Sequence, residues 1–355
     1  MSSHPKITVG LICGGQSPEH EISLFSAKNI FNALDKEKFI PEIIYIDKKG
    51  NFRYAQNNMD ILSSEENRNN LPLLSITPGL GKNIFGLSIS IDIIFPVLHG
   101  LMGEDGTIQG LLKLCNIPFV GNDVLGSAVC MDKDVTKRLL KQANIDVAEF
   151  LVFTRFNLAH HQIHFEEITA KLKLPFFIKP ANTGSSIGIH KVKNKQDFDA
   201  ALDDAFKYDD KIIIEKFIPG REIECAVLGD DEPISSQPGE IIVHHESHEF
   251  YDYQAKYFDE NGASVIVPAQ LNQSEISRFQ QLAVETFKIL CCSGLARVDF
   301  FYAPNGRIVV NEVNTLPGFT NISMYPHCWE AGGISYPQLV EKLILFGLKK
   351  QRIFG

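Results

Sequence analysis

Leu295-Ala-Arg297-Val-Asp299-Phe-Phe301-Tyr-Ala303-Pro304-Asn305-Gly306-Arg307-Ile-Val-Val-Asn311-Glu312-Val313-Asn314-Thr-Leu-Pro317-Gly318 is the stretch on which the fold turns. Two β-rich runs flank Asn305-Gly306, a dipeptide that favours a tight hairpin. Alternation puts Arg297, Asp299 and Phe301 on one face of the first run. Along the second run Glu312 and Asn314 share a face, and Val313 takes the other. A two-residue turn pairs Pro304 with Arg307. Counting back, Asp299 then stands opposite Glu312, and Arg297 opposite Asn314. Two carboxylates facing each other across a ladder repel. A divalent cation between them reverses that penalty, and oxygen-only donors suit Mg²⁺ rather than zinc.

A second register competes. Pro304 has no N–H for the ladder. A three-residue turn with a bulge at Gly306 pairs Ala303 with Arg307 and sends Asp299 and Glu312 to opposite faces. We adopt the first register because only it gathers four polar residues. Any one charged strand residue is most often part of a solvated face. Four matched residues followed by Pro317-Gly318 weigh against that reading.

The chain has 355 residues, enough for two or three domains with real cores. A hydrophobic content of 44% and a charged content of 22% describe an ordinary globular protein. A net charge of −9 argues against nucleic-acid or anionic-membrane partners. The seven cysteines are an odd number with no C-x-x-C spacing, which points to buried thiols in a reducing compartment. The apolar run from Ile7 to Cys13 is too short for a signal-peptide core, and no apolar run is long enough to span a membrane. The expected location is the cytoplasm.

In chain order, residues 6–13 read as a buried parallel strand. Gly14-Gly15 and Glu19 follow, then a helix with Leu24, Ala27, Ile30, Phe31 and Leu34 at helical spacing. This is a βα turn of a doubly wound sheet, without a dinucleotide fingerprint. On local evidence Glu19 is as much a first-turn acid favoured by the helix dipole as a substrate contact. Residues 55–70 read as a surface loop. A further strand ends at His99, and Gly100–Gly110 forms a second glycine-rich turn and helix start that can hold an anion. Ile117–Gly121 reads as a short strand. Asp132 opens a helix through Ala143, with Val135, Leu139 and Leu140 inward.

Lys179 ends the apolar strand Leu174–Ile178, and Gly184-Ser185-Ser186-Ile-Gly188 follows. Small residues let backbone N–H groups and hydroxyls close around phosphate oxygens while a lysine neutralises charge. A plain flexible hairpin does not explain a lysine in an apolar strand, where a buried charge needs a partner. Lys211–Gly229 reads as strand, turn, strand, with Glu215 and Glu222 flanking the turn. An adenine–ribose pocket would want backbone groups at Lys216 and Ile218 and a carboxylate on the ribose hydroxyls; the plain alternative is a hairpin with two exposed acids. The aromatic and charged stretch 244–262, including Lys256 and Tyr257, has the length of a lid. Gln273–Leu290 and Tyr336–Leu348 read as helices.

Five motifs occur in order: Gly14-Gly-Gln-Ser-Pro-Glu19-His-Glu-Ile-Ser, His99-Gly-x-x-Gly-Glu-Asp-Gly, Lys179-Pro-Ala-Asn-x-Gly-Ser-Ser, Glu-Phe-Tyr-Asp-Tyr-x-x-Lys256-Tyr257, and Arg297-Val-Asp299 with Asn311-Glu312-Val-Asn314-Thr-x-Pro-Gly318. Together they resemble the D-alanine–D-alanine ligases of the ATP-grasp superfamily, from about Lys6 to about Leu348. Any one motif alone is weak, and the fixed order is highly specific. Thr183 departs from the aliphatic residue many relatives carry.

The resemblance implies an α/β and α+β chain: an ATP-grasp fold behind an N-terminal doubly wound (pre-ATP-grasp) domain. It implies a substrate-binding domain at 1–132, a central subdomain at 133–232 and a C-terminal subdomain with metal and catalytic residues at 233–355. It implies ATP and two Mg²⁺ (or Mn²⁺), D-alanine as substrate and a homodimer. Carried over by motif, Lys133, Lys179 and Ser186 would hold ATP phosphates, and Glu215, Lys216, Ile218 and Glu222 adenosine. Asp299, Glu312 and Asn314 would bind metal. Glu19 would hold the first ammonium, with His99 and Lys256 on the substrate side. Glu19, Ser185 and Tyr257 would latch the lid. Arg297 and the Gly318 N–H would stabilise an oxyanion, and Ser323 and Met324 would receive the second carboxylate. Tyr257 favours a dipeptide over a D-alanyl-D-lactate product. Intact Arg297, Asp299, Glu312 and Asn314 speak against a silent nucleotide sensor.

Overall fold

The structure, a computed structural model, describes residues 5–156, 163–243 and 263–351. The expected lid, with Lys256 and Tyr257, lies outside the described residues.

The first sheet has the order β3-β2-β1-β4, from β1 (Ile7–Gly14), β2 (Phe39–Ile46), β3 (Phe52–Gln56) and β4 (Ile93–Val97). Strand β1 runs parallel to both β2 and β4, as its continuous apolar sequence requires. Helix α1 (His20–Ala33) follows β1 and buries Leu24, Ala27 and Ile30. The expected loop at 55–70 is instead a 3₁₀ turn (Met59–Ser63) and a short helix, α2 (Glu65–Asn69). Met59 and Leu62 are buried in the core, and Ser64 caps α2. Polar composition hid that helix. The expected strand at 117–121 reduces to one bridge between Phe119 and Ile94. Helices α3 (Thr107–Leu114), α4 (Val124–Met131) and α5 (Lys133–Gln142) complete this part.

The second sheet has the order β5-β8-β6-β7, from β5 (Phe150–Thr154), β6 (Phe176–Pro180), β7 (His190–Val192) and β8 (Lys211–Lys216). Helices α6 (Phe165–Leu172) and α7 (Lys195–Tyr208) pack on it around Phe176, Phe198 and Ile212. The third sheet comprises β9 (Arg221–Gly229), β10 (Ile234–Ser235), β11 (Gly239–Val243), β12 (Ala263–Ile266), β13 (Gly294–Tyr302) and β14 (Ile308–Asn314). Strands β8 and β9 belong to different sheets, so residues 211–229 are not a hairpin. Helix α8 (Gln273–Ile289) starts with a capping box between Asn272 and Glu275. Helices α9 (Met324–Ala331) and α10 (Tyr336–Gln351) close the chain. One apolar core joins Leu11, Ile30 and Phe95 to Leu228, Tyr325 and Leu343, so the first and third sheets share a seam.

The deciding hairpin is resolved by two irregularities. The Ala303 N–H donates to the Arg307 carbonyl, and the Gly306 N–H to the Ala303 carbonyl, each at 2.9 Å. The turn therefore holds three residues, with Gly306 at φ +80, and the two-residue turn is incorrect. Proline at 304 has no hydrogen to return to Arg307. Pairing runs Tyr302 with Ile308, Phe301 with Val309 and Phe300 with Val310. It then slips by one residue, leaving Asn311 as a bulge and setting Asp299 opposite Glu312 and Arg297 opposite Asn314. The bulge restores the face that the turn alone would have lost.

Helix α5 also differs from expectation. Leu139 is 39% exposed, and the inward position is taken by Lys137.

Candidate active site

Strand β13 lies between β9 and β14, so Asp299 faces Glu224 on one side and Glu312 on the other. Three acids in one row repel one another. Arg297 offsets part of this. Its guanidinium makes two hydrogen bonds of 2.7 Å to Asp299 and an ion pair of 2.7 Å to Glu224. Burial works against the charged guanidinium, but Asp299 and Glu224 override it and hold Arg297 well above its usual range. One turn of the alternation further along β14, the Asn314 Oδ1 is buried without a hydrogen-bond partner. No group of three His, Cys, Asp or Glu residues suited to a metal occurs among the described residues. The donors here are two carboxylates and an unpartnered amide oxygen, which fit a hard divalent cation.

The nucleotide side comes from β6, β8 and α5. Lys179 Nζ bonds to Glu215 Oε2 at 2.7 Å, which supplies the partner its apolar strand demanded. Lys137 Nζ lies 2.5 Å from the other oxygen, Oε1. Burial disfavours the Glu215 carboxylate, yet the two ammonium groups bring it down to about 2. Burial lowers Lys179, and Glu215 more than reverses that. Asp132 caps α5 by accepting from the Asp134 and Val135 N–H groups at 3.1 Å. The cap fixes Lys133, whose Nζ donates to the Thr183 carbonyl at 2.7 Å and lies 3.5 Å from Glu312. In the following loop Ser185 and Ser186 both hold left-handed backbone, at φ 50 and 58. Such strain in non-glycine residues gathers at ligand-binding loops.

The amino-acid side is built where the first sheet meets that loop. Ser185 donates to Glu19 Oε1. A side chain at Gly100 would place Cβ 2.6 Å from Glu19 Oε2, so only glycine allows the His99 turn to close over that carboxylate. His99 Nδ1 lies 3.0 Å from the Leu316 carbonyl, which assigns the proton to Nδ1. Nε2 then accepts from Ser26 Oγ at 3.2 Å, and Ser26 Oγ accepts from the Phe319 N–H. Burial lowers His99 and keeps it neutral, against the pull of Glu19. Glu104 accepts from the Gly100 N–H at 2.8 Å and the Leu316 N–H at 3.3 Å. Burial, then Glu19, pushes its carboxyl up to about 8.

Two cavities meet here. One of about 730 Å³ is bordered by Glu19, His99, Lys133, Ser185, Arg297, Asn314, Gly318, Ser323 and Met324. The other, of about 440 Å³, is bordered by Lys179, Ser186, Glu215, Lys216, Ile218, Glu222 and Asp299. Glu312 borders both. Every expected site residue within the described residues therefore lies on one of the two; Lys256 and Tyr257 fall outside them. Sequence reasoning missed Lys137, Glu104 and Glu224. Glu224 was findable, because it shares a strand face with Glu222. Lys137 falls one helical turn after Lys133, but nothing local distinguishes it from a solvated lysine.

A sheet bearing paired carboxylates and a sheet bearing a lysine and a glycine-serine loop, meeting at a cleft, define an ATP-grasp ligase fold. Residues 8–122 match the family model for the D-ala D-ala ligase N-terminus, and residues 139–345 that for its C-terminus. The chain is 49% identical to D-alanine–D-alanine ligase A of Chromobacterium violaceum, covering 98% of this chain and 97% of the relative. It is 46% identical to D-alanine–D-alanine ligase A of Escherichia coli K12, with 97% and 96% covered. The solved D-alanine-D-alanine ligase of Coxiella burnetii superposes with TM-score 0.86 at 38% identity, covering 99% and 96%. The VanG D-Ala:D-Ser ligase of Enterococcus faecalis superposes with TM-score 0.85 at 39% identity, covering 97% and 100%. The chain belongs to the D-alanine–D-alanine ligase family.

Proposed function

We propose that the protein joins two D-alanine molecules into D-alanyl-D-alanine, using ATP and an acyl phosphate, and so supplies peptidoglycan precursor synthesis. The observation that carries this reading is the meeting of the two cavities at Glu312, with Arg297 on the amino-acid side.

A carboxylate is a poor acylating agent. Its oxygen attacks the γ-phosphorus of ATP, the bond to ADP breaks, and an acyl phosphate forms. Lys179, Lys133 and Ser186 hold the phosphates, and Glu215, Lys216, Ile218 and Glu222 the adenosine. Asp299, Glu312 and Asn314 would hold two Mg²⁺ or Mn²⁺, which supply charge neutralisation around the transferring phosphoryl oxygens. Glu19, held by Ser185, orients the first ammonium, with His99 beside it as a neutral donor–acceptor. Ser323 and Met324 open α9 toward the second carboxylate. The neutral amine of the second D-alanine attacks the acyl carbon, phosphate leaves, and the amine loses its proton. Arg297 and the Gly318 N–H stabilise the oxyanion formed on the way. Lys256 and Tyr257 complete a lid that keeps water from the acyl phosphate. The first boundary stays near 132, whereas β9 pairs in the third sheet, so the second boundary moves from 232 to the turn between Lys216 and Arg221. We further propose a cytoplasmic homodimer that binds neither nucleic acid nor membrane. No helix among the described residues is long and apolar enough to cross a membrane.

The test is phosphate release with ATP and Mg²⁺ when the protein is offered D-alanine, L-alanine, or D-alanine with D-lactate or D-serine. Release with D-alanine alone, yielding the dipeptide, is the expected result. Preferred ester or mixed-dipeptide formation near neutral pH would overturn the choice of second substrate. ATP binding without turnover would overturn the enzyme.

A further inference from the structure

Lys137 is 1% exposed, on the face of α5 one turn beyond Lys133. A buried ammonium is expensive, and an apolar side chain of similar length packs such a position without that penalty. Here the charge has two partners. Nζ lies 2.5 Å from Glu215 Oε1 and donates to the carbonyl of Asn311 at 2.9 Å. Glu215 holds Lys179 with its other oxygen. Asn311 is the bulge residue of β14, and the bulge decides which face Glu312 takes. One ammonium thus ties together a helix, the second sheet and the irregular point of the third.

We propose that Lys137 is a positioning residue for both halves of the nucleotide site, pinning the Asn311 bulge to the carboxylate that aims Lys179. The proposal rests on the reading of Glu312 as a metal carboxylate and Lys179 as a phosphate contact. Lys137 itself touches neither substrate. It sets the spacing between the cation that meets the phosphates from β6 and the carboxylate that meets the metal from β14. Burial pulls the Lys137 ammonium below its usual range and Glu215 pulls it the other way, so the tie is made by two contacts at fixed distance and not by a surplus of charge.

The test compares Lys137→Met, which removes charge and donor, with Lys137→Gln, which keeps a donor for Asn311 without charge. Mn²⁺ binding in the presence of a non-hydrolysable ATP analogue is read by electron paramagnetic resonance. Half-saturation by Mg²⁺, KM for ATP, KM for D-alanine and Tm are measured beside it. Lys137→Met should weaken Mn²⁺ binding and raise the Mg²⁺ requirement by roughly 10- to 100-fold, as loss of an outer partner of a metal ligand does. KM for D-alanine should stay unchanged, and Lys137→Gln should fall between Met and the parent. A lowered Tm with unaltered Mn²⁺ and ATP affinity would reduce Lys137 to a packing residue and overturn the proposal. Should Lys137→Met fail to fold, Lys137→Gln decides by the same readouts. Glu312→Gln is the control. If it binds Mn²⁺ like the parent, the metal reading fails and this proposal with it. If it loses Mn²⁺ while both Lys137 variants keep it, only the role of Lys137 is lost.

Discussion

Glu224 stands directly across the ladder from Asp299, and Arg297 bridges the two. Removing the bridge exposes a row of three acids to one another. Arg297→Met should lower kcat by roughly 10²- to 10³-fold, the usual loss when an oxyanion donor is removed. It should also make Tm depend more steeply on Mg²⁺ than in the parent, because the cation takes over charge compensation. Phosphate-release kinetics and thermal scans with and without a chelator check both effects.

Glu215 makes acid stability a local property. Its folded carboxyl sits at about 2, below its usual 4.5, through Lys137 and Lys179 acting against burial. A depressed carboxylate contributes stability that is present above pH 4.5 and is lost as pH falls through about 2. Glu215→Gln should destabilise the protein by about 3–5 kcal/mol at neutral pH, because it strands buried ammonium groups. It should also flatten the acid limb of the stability profile, read by chemical denaturation.

Glu104 acts with the opposite sign. Its folded carboxyl is pushed up to about 8, chiefly by burial and then by Glu19. A raised carboxyl favours folding below pH 4.5 and loses that contribution as pH climbs toward about 8. The stability difference between Glu104→Gln and the parent should therefore shift in favour of the variant from near pH 5 to near pH 8. A constant difference across that window would mean that Glu104 ionises normally.

Deleting Asn311 should remove activity out of proportion to stability. The regular ladder left behind still sets Glu312 opposite Asp299, but the bulge carbonyl that Lys137 Nζ holds is gone, so the carboxylate loses its anchor to α5. Retained secondary structure by circular dichroism, with loss of both turnover and Mn²⁺ binding, is the expected pair of results.

Gly100→Ala should raise KM for the first amino acid. The new methyl meets Glu19 Oε2 at 2.6 Å on a backbone at φ +73. Displacement of that carboxylate, with KM for ATP unaffected, distinguishes this from general misfolding.

Much of the site was legible because alternation and charge carry through a strand whatever its ends do. Asp299 and Glu312 were paired correctly although the turn was misread. Two irregularities, the three-residue turn at Pro304 and the bulge at Asn311, cancel in the register. No residue type marks a bulge of that kind. Lys179 was traceable because a lysine in an apolar strand demands a counter-charge. Lys137 was not, since Leu139 competes for the inward face of α5 and hydrophobicity alone picks the leucine. The helix at 65–69 hid behind polar residues, and the separation of β8 from β9 is a tertiary choice that adjacent strands do not announce.

Glu312, on the wall common to both cavities, has a consequence for the order of events. Charge that arrives in one chamber changes the field in the other, so on the proposed function nucleotide and amino acid should act as effectors of each other. Linkage makes the effect symmetrical: the factor by which bound nucleotide tightens D-alanine must equal the factor by which D-alanine tightens nucleotide. Calorimetric titration of each ligand in the presence of the other should return one number, and Glu312→Gln should bring it toward unity. The partition that Glu312 shares with Glu224 and Ile241 would thus let two separate chambers respond as one.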